Sequence, residues 1–505
     1  MTMSPAPPAA PAPQPSRPPV TEDAAEVRPT GRLRTFVRGR WLKTIPGRIR
    51  SHVVLCLAAL LALLAVLTVA IGNARDSVET IGHDAGPQVV ATGTLYFALS
   101  DMDAQVSNIL LIGREHDLGI GYDETLRVYE RRRAEADAAA VQAAQLAGSD
   151  LALKRTVQEV LDGLGKYERL VGQAMQLDAQ SNHAPGETPP QVVNAYRQAT
   201  DLMKLQLLPK AYNITLDTGA HVRESYETKR SAVLTGRAWV ALTGLIVLLF
   251  LIATQLYLMR TFRRVLNPAL VLATLGTLVL TAVGAGLLTA HAGHIRKAKE
   301  DGFDSILQLS RARAISHSAF GDESRYLLDP GRADTYEQTY LDKSLSVIYP
   351  DLGDKPVNLE NYYAGLEQKA GAYKSGQRTV GFLGFFGDEA RTAGTGREGD
   401  ALAKTLAAYR AVQRNDAEMR RLASAGNRTA AVDLRMGRNS STIRDFDDYD
   451  SALSALTAVH QDVFDEAIED ADGGLRGWNA VPPIAAAVIA ALIIAGARPR
   501  LAEFR

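Results

Sequence analysis

The sequence predicts an all-α integral membrane protein, with four transmembrane helices and two extracytoplasmic four-helix-bundle domains. Three observations carry that expectation. Four long apolar stretches contain no Asp, Glu, Lys or Arg. Two polar regions, each over 150 residues, separate the first stretch from the second and the third from the fourth. Aromatic residues make up only 6% of the chain, and in the polar regions apolar residues recur every three or four positions, the helical period.

The apolar stretches cover about Val53–Gly72, Ala238–Met259, Pro268–Ala290 and Val481–Ala497. At about 1.5 Å of rise per residue, the first three are long enough to cross a hydrocarbon core of about 30 Å. The fourth is shorter and opens with Pro482 and Pro483, which a first helical turn tolerates. Short flanks rich in Lys and Arg mark the cytoplasmic side. Arg32, Arg34, Arg38, Arg40, Lys43, Arg48 and Arg50 precede the first span. Arg260, Arg263 and Arg264 fill the turn between the second and third, and Arg498, Arg500 and Arg505 follow the fourth. Both termini are therefore expected inside and both polar regions outside.

A cleaved signal sequence fits the first span poorly, because the span is too long and starts too late. Cys56 is the single cysteine. It reads as a small buried hydrophobe; the alternative, an acylation site, lacks the small residue expected where Leu55 stands. With no disulfide available, the exported domains must hold together by packing.

The chain divides into a Pro/Ala-rich tail (1–30), a basic juxtamembrane segment (31–52), the first span (53–72) and a first bundle (73–237). The second span (238–259), a cytoplasmic turn (260–267) and the third span (268–290) follow. A second bundle (291–480), the fourth span (481–497) and a short tail (498–505) complete it. In the first bundle, Leu95, Leu99, Met102, Val106 and Ile109 form one apolar seam on a long helix. In the second, Phe446, Tyr449, Leu453, Leu456, His460 and Val463 repeat the rhythm. Gly- and Pro-bearing breaks predict helices near 74–112, 122–147, 150–181 and 191–236, then near 292–328, 334–378 (interrupted around Pro350–Pro356), 400–425 and 428–475. Leu164 and Tyr167 in one third helix parallel Leu406 and Tyr409 in the other, which suggests duplication.

The up-down path sends the segment Gly381–Gly387 back toward the bilayer. Its Phe382, Leu383, Phe385 and Phe386 read either as a membrane-dipping loop or as a loop packed on its own bundle. The distal loops are Gly113–Gly121, His183–Pro190, Asp329–Asp334 and Ser424–Arg428.

No phosphate-cradling loop, zinc-spaced His/Cys set or nucleophile elbow is legible, so no catalytic residue, cofactor or metal is expected. His291 and His294 lack a third ligand and read as interfacial polar residues. The acidic runs Asp445–Asp450 and Asp465–Asp472 read as solvated helix faces. Arg311, Arg313, Arg325, Arg435, Arg438 and Arg444 are candidates for anion recognition, with Arg311 and Arg325 two heptads apart on one face. Most should simply pair with neighbouring carboxylates. The spans hold no ionisable group, which argues against a transporter, and Ala282, Gly284 and Gly286 offer a small-residue packing face. No nucleic-acid partner is expected; the lipid bilayer is one.

The tandem arrangement and the tract Trp41-Leu42-Lys43-Thr44-Ile45-Pro46-Gly47-Arg48 resemble the actinobacterial GlnX-like membrane signalling family. The resemblance implies a bacterial plasma-membrane receptor in amino-acid sensing. Such a receptor would couple an extracytoplasmic substrate-binding lipoprotein to a cytoplasmic serine/threonine kinase. Arg38, Trp41, Arg260, Arg263 and Arg264 would then form the cytoplasmic relay surface. The alternative is a scaffold or permease subunit like FtsX, working with a cytoplasmic ATPase. A β-rich second domain would favour that alternative, and a pure bundle the receptor.

Overall fold

A computed structural model describes residues 45–148, 150–262, 267–437 and 440–502. The tail over 1–30, and Arg38, Trp41, Arg263, Arg264 and Arg438, lie outside the described residues.

The backbone is built on three long helical rods. Helix α1 (Ile45–Val78) continues through a π-helical turn, Glu79–Ala85, into α2 (Gly86–Ile112). Helices α3 (Tyr122–Leu146) and α4 (Leu151–Ser181) follow. Then α5 (Pro190–Leu202) passes through a second π turn, Met203–Leu207, into α6 (Leu208–Phe262). The third rod is α7 (Pro268–Lys297), a π turn at Ala298–Phe303, and α8 (Asp304–Leu328). The remainder is α9 (Ala333–Val347), α10 (Leu359–Ala370), α11 (Phe385–Thr392), α12 (Arg397–Ser424), α13 (Arg428–Met436), α14 (Ser441–Leu475) and α15 (Val481–Ala502).

Helix starts follow local chemistry. Asp150 accepts hydrogen bonds from the Ala152 and Leu153 amides at the head of α4. Asn267 caps α7 by accepting from Ala269 N, with Pro268 at the first helical position.

Four helices are long and apolar enough to cross a membrane. Their apolar parts close a ring in which α1 packs on α6 and α15, and α7 packs on the same two. Leu63, Leu67, Val240, Val247, Leu251, Ile489 and Ile493 fill its centre. Leu61, Val69, Leu245, Leu249, Leu275, Val279, Ile484 and Val488 form an exposed outer belt. Such a belt is unfavourable in water and suits lipid chains. Cys56 is buried in this bundle, 3.5 Å from Thr254 Oγ1. Of the expected small-residue face only Gly284 points inward, against Leu67; Ala282 and Gly286 are exposed.

Both helical halves project from the same end of this ring. In the first half, α2, α3, α4 and the α5–α6 rod surround one core. In the second, α8, α9, α12 and α14 do so, with α10, α11 and α13 as short insertions. Leu164 and Tyr167 are buried in one core, Leu406 and Tyr409 at the matching place in the other.

The expected separation of the two bundles is not what the chain adopts. Helix α2 packs along α8, and the first core takes in Ala314, Leu327, Leu328, Met419, Val432 and Met436 from the second half. The reason is that α2 is buried on nearly every side from Leu95 to Ile112, so one seam understates it. The expected helix 428–475 is two helices, α13 and α14, with Gly437 in extended conformation between them.

Phe382 and Phe386 are also corrected, because both are core side chains, 1% and 0% exposed. Phe382 belongs to a two-residue antiparallel pair, β1 (Tyr349–Pro350) on β2 (Phe382–Leu383). Phe386 meets Tyr409 and Tyr449 edge-on. Gly384, at φ 83°, permits the turn between them, since a Cβ there would lie 2.8 Å from Ser346 O. Leu383 is exposed and Phe385 half-buried, so the segment is a packed one with a single outward apolar side chain. This pair is the only sheet among the described residues, which gives the scaffold alternative no support.

The α2–α8 contact sets a sharp steric test. A Cβ at Gly321 would sit 2.8 Å from Ala104 Cβ and 3.0 Å from Ala104 Cα, atoms that cannot rotate away. Gly321→Ala should lower the unfolding free energy of the detergent-solubilised protein by about 1–3 kcal/mol. Gly165→Ala, at an exposed helical position with nothing within 4 Å, should raise it by about 0.5–1 kcal/mol.

Candidate functional site

Charge is concentrated where the two halves meet. Helix α2 carries Asp101 and Asp103 and no Lys or Arg of its own, so its partners must come from elsewhere. Asp103 is held by three groups from three elements. Arg325 Nη2 of α8 donates to its Oδ2 at 2.5 Å, Thr200 Oγ1 to the same oxygen at 2.9 Å, and Tyr167 OH to Oδ1 at 2.9 Å. Tyr196 accepts from Arg325 Nε at 2.9 Å and closes the set. Arg325 also donates to Asp322 at 2.6 Å, and Asp322 takes Lys204 from the first half and Lys343 from the second. Three cations crowd Asp322, so its carboxyl stays well below the usual carboxylate range although burial alone would raise it.

A second cluster lies nearer the membrane. His317 Nδ1 is 3.1 Å from Asp101 Oδ1 and its Nε2 is 2.8 Å from Asp450 Oδ1, so both ring nitrogens face carboxylates. Burial by itself would depress this imidazole, but Asp101 and Asp450 outweigh it and hold the pKa up at about 9. Arg132 donates to Asp101 at 2.6 Å, and Arg313 grips Asp450 through two bonds of 2.6 Å. Their guanidinium carbons lie 4.6 and 4.2 Å from the Phe97 ring centroid. A cavity of about 210 Å³ opens beside this cluster, lined by Asp101, Arg131, Arg132, His317, Asp447 and Asp450 among others.

A third pair is less well made. Arg435 and Glu323 are both fully buried, 3.1 Å apart, yet their nearest atoms lack hydrogen-bond geometry. Arg435 instead donates to Phe320 O at 3.1 Å and sits 3.7 Å over the Phe320 ring. Burial and the nearby Asp416 push Glu323 upward against the pull of Arg435 and Arg420.

The distal loops interlock across the same seam, where Gly119 N donates to Met436 O and Arg428 to Gly186 O; Arg114 N to His183 O and Arg428 to Leu327 O brace the loops within each half. Arg197 grips Asp329 from the opposite half. Beside them lies an open groove of about 560 Å³ that includes Glu187, Arg197, Asp329 and Arg428.

Set against the sequence expectations, Arg325 is withdrawn as a ligand-facing residue, because its guanidinium is saturated by internal partners and 1% exposed. Arg311 does share its face toward the α5–α6 rod. It lies over Tyr212 and 3.5 Å from Thr215 O, with no carboxylate partner among the described residues. Arg313 and Arg435 are internal pairs too. Asp450, expected on a solvated face, belongs to the seam. Arg260 is exposed at the end of α6. His291 is bound to Ser77 at 2.9 Å, while His294 faces Asp470, so the two histidines do not converge. Asp101 and Asp103 were missed. Their signal was present, as two acids without a local cation in an apolar helix.

Residues 77–227 are similar to the family model described as an actinobacterial sensor domain, a match that suggests a signal-sensing role. The matched stretch starts just before the first π turn and ends within α6, so it covers the first half and not the second. Neither the curated proteins nor the solved structures yield a match. A sensor domain joined to four apolar helices indicates a bacterial membrane location.

Two measurements probe the seam. Arg325→Met strands Asp103 in the interior without a cation, while Asp322 keeps Lys204 and Lys343, and should cost about 3–5 kcal/mol of unfolding free energy. Combining it with Asp103→Asn should recover part of that loss. His317 is held above its ordinary value of 6.5, so its stabilisation is complete below about 6.5 and is lost as pH rises through about 9. The thermal midpoint should therefore fall across that window, and His317→Asn should flatten the fall.

Proposed function

We propose that the chain is a transmembrane signal relay. In this reading an extracytoplasmic ligand, or a substrate-binding lipoprotein carrying an amino acid, acts on the distal end of the helical body. The response reaches a cytoplasmic serine/threonine kinase through the spans.

One observation carries it. The rods α1–α2 and α7–α8 run without a break from the membrane ring into the charged seam, where they pack on each other. A change in how α2 sits against α8 is thereby a change in how α1 and α7 end at the inner face. The open groove is lined by the head of α5 from the first half and by the end of α8 and Arg428 from the second, so one partner can touch both halves at once. A ligand shifts such an equilibrium only by its difference in affinity for the two arrangements. The buried ion pairs supply discrete arrangements to choose between. The sensor-domain match over 77–227 supports the sensing end of the relay.

The inner surface in this proposal is the segment bearing Arg38 and Trp41 together with Arg260, Arg263 and Arg264. In-membrane crosslinking of the tagged protein, read by mass spectrometry, should recover a substrate-binding lipoprotein and a serine/threonine kinase. Recovery of a cytoplasmic ATPase with a cell-wall enzyme would overturn the relay. Replacing Arg260, Arg263 and Arg264 together should abolish kinase recovery while lipoprotein recovery stays unchanged.

A further inference from the structure

The second half contains a grouping that none of the above uses. Glu389 on α11, Glu398 in the first turn of α12 and His460 on α14 converge. One ligand atom from each lies within 4.8 Å of the others. His460 Nε2 is 2.5 Å from Glu389 Oε1 and 3.8 Å from Glu398 Oε1. It is the only such triad of His, Cys, Asp or Glu among the described residues.

Two further features separate it from an ordinary ion pair. Glu389 is 1% exposed, and its second oxygen, Oε2, has no hydrogen-bond partner. A buried carboxylate oxygen left this way costs free energy unless something binds it. Among the described residues neither glutamate is paired with a Lys or Arg. The two carboxylates therefore face one imidazole with no fixed cation to balance them. The second feature is the other ring nitrogen. His460 Nδ1 lies 2.8 Å from Asp301 O, so a proton there donates to the carbonyl, and the second proton, shared between Nε2 and Glu389, is the one a metal ion would displace to take the Nε2 lone pair. That is how proteins orient a histidine that ligates a metal.

We propose that Glu389, Glu398 and His460 bind a divalent first-row transition metal of the zinc class. One nitrogen and two carboxylate donors suit such an ion, whereas calcium and magnesium prefer all-oxygen sets. Donor–metal distances of about 2.0–2.2 Å in tetrahedral geometry place ligand atoms roughly 3.4 Å apart. The observed separations straddle that value, so small side-chain movements complete the set. Glu398 is partly exposed and forms the entry side, where a water can take a fourth position.

The location gives the ion a consequence. Asp301 lies in the π turn Ala298–Phe303 that joins α7 to α8, so His460 ties α14 to the junction between span and sensor body. A bound ion braces α11, α12 and α14 around that junction. The assignment stands on its own geometry and holds whether or not the relay partners are those proposed.

The test uses the full chain in detergent micelles, stripped with EDTA and titrated with ZnCl2 and, separately, CoCl2. One equivalent of zinc should survive desalting, and cobalt should give visible d–d bands of mixed nitrogen and oxygen coordination. Loss of an outer-shell partner alone costs about 10–100-fold in affinity, so His460→Gln should weaken binding by at least about 100-fold. Glu398→Gln, at the partly exposed edge, leaves the fold intact and should remove the metal-dependent rise in thermal midpoint. His294→Asn should leave both readouts unchanged. Failure of the wild-type chain to retain zinc, or retention undiminished in Glu398→Gln and His460→Gln, overturns the site.

Discussion

The rest of the molecule depends on burying charge between α2 and α8. Two aspartates from one helix and a histidine and an arginine from the other are removed from water together, with partners drawn from α3, α5, α9 and α14. Each ion would be strongly destabilising alone, and each is tolerable only because its partner is fixed at hydrogen-bond distance. Displacing α8 along α2 by one helical turn would part Arg325 from Asp103 and His317 from Asp101 at once. The seam therefore pins the relative position of the two rods far more firmly than apolar packing would, since apolar contacts can slide at modest cost.

Because the rods continue into the spans, the seam also fixes how the membrane ring is assembled. The four spans are joined mainly by Leu, Val, Ile and Ala, which specify little on their own, with a few polar contacts such as Gln255 Nε2 to Thr274 Oγ1 at 2.9 Å. Position along the membrane normal is instead inherited from the charged body above them. The small Gly244 and Gly284 then let α6, α7 and α1 approach closely once that position is set.

Between ring and body lies a collar. The π turns Glu79–Ala85 and Ala298–Phe303 occupy corresponding places in the two halves, each just beyond the span that opens its half. Both are packed on α14: Gly82 lies against Ile468, and Gly302 against the backbone and Cβ of Phe464. A π turn holds an extra residue per turn and re-aims the helix beyond it, and such turns recur at functional sites. The paired turns, the paired buried tyrosines and the shared helical path make a duplicated ancestor the simplest account. The sensor-family match covers one of the two halves. The second core holds an aromatic cluster of Tyr362, Phe386, Tyr409 and Tyr449, where the first relies on Asp103 and its hydroxyl donors.

The sequence by itself determined the helical class, the four spans, and the helix positions up to the short insertions of the second half. Those features are local: apolar length, three-four periodicity, and the breaks at Gly148, Pro190, Asn267 and Pro350. Only the tertiary structure decided that the two halves share a core. Periodicity reports which side of a helix is apolar, not whether its polar side meets water or another helix's charges. Asp101 and Asp103 look like solvent-exposed acids until His317 and Arg325, more than 200 residues away, are brought against them. The same limit hid Glu389, Glu398 and His460, whose convergence has no spacing signature because three separate helices supply it. It hid the burial of Phe382 and Phe386 as well, since an aromatic segment bound for lipid and one bound for a core have the same composition.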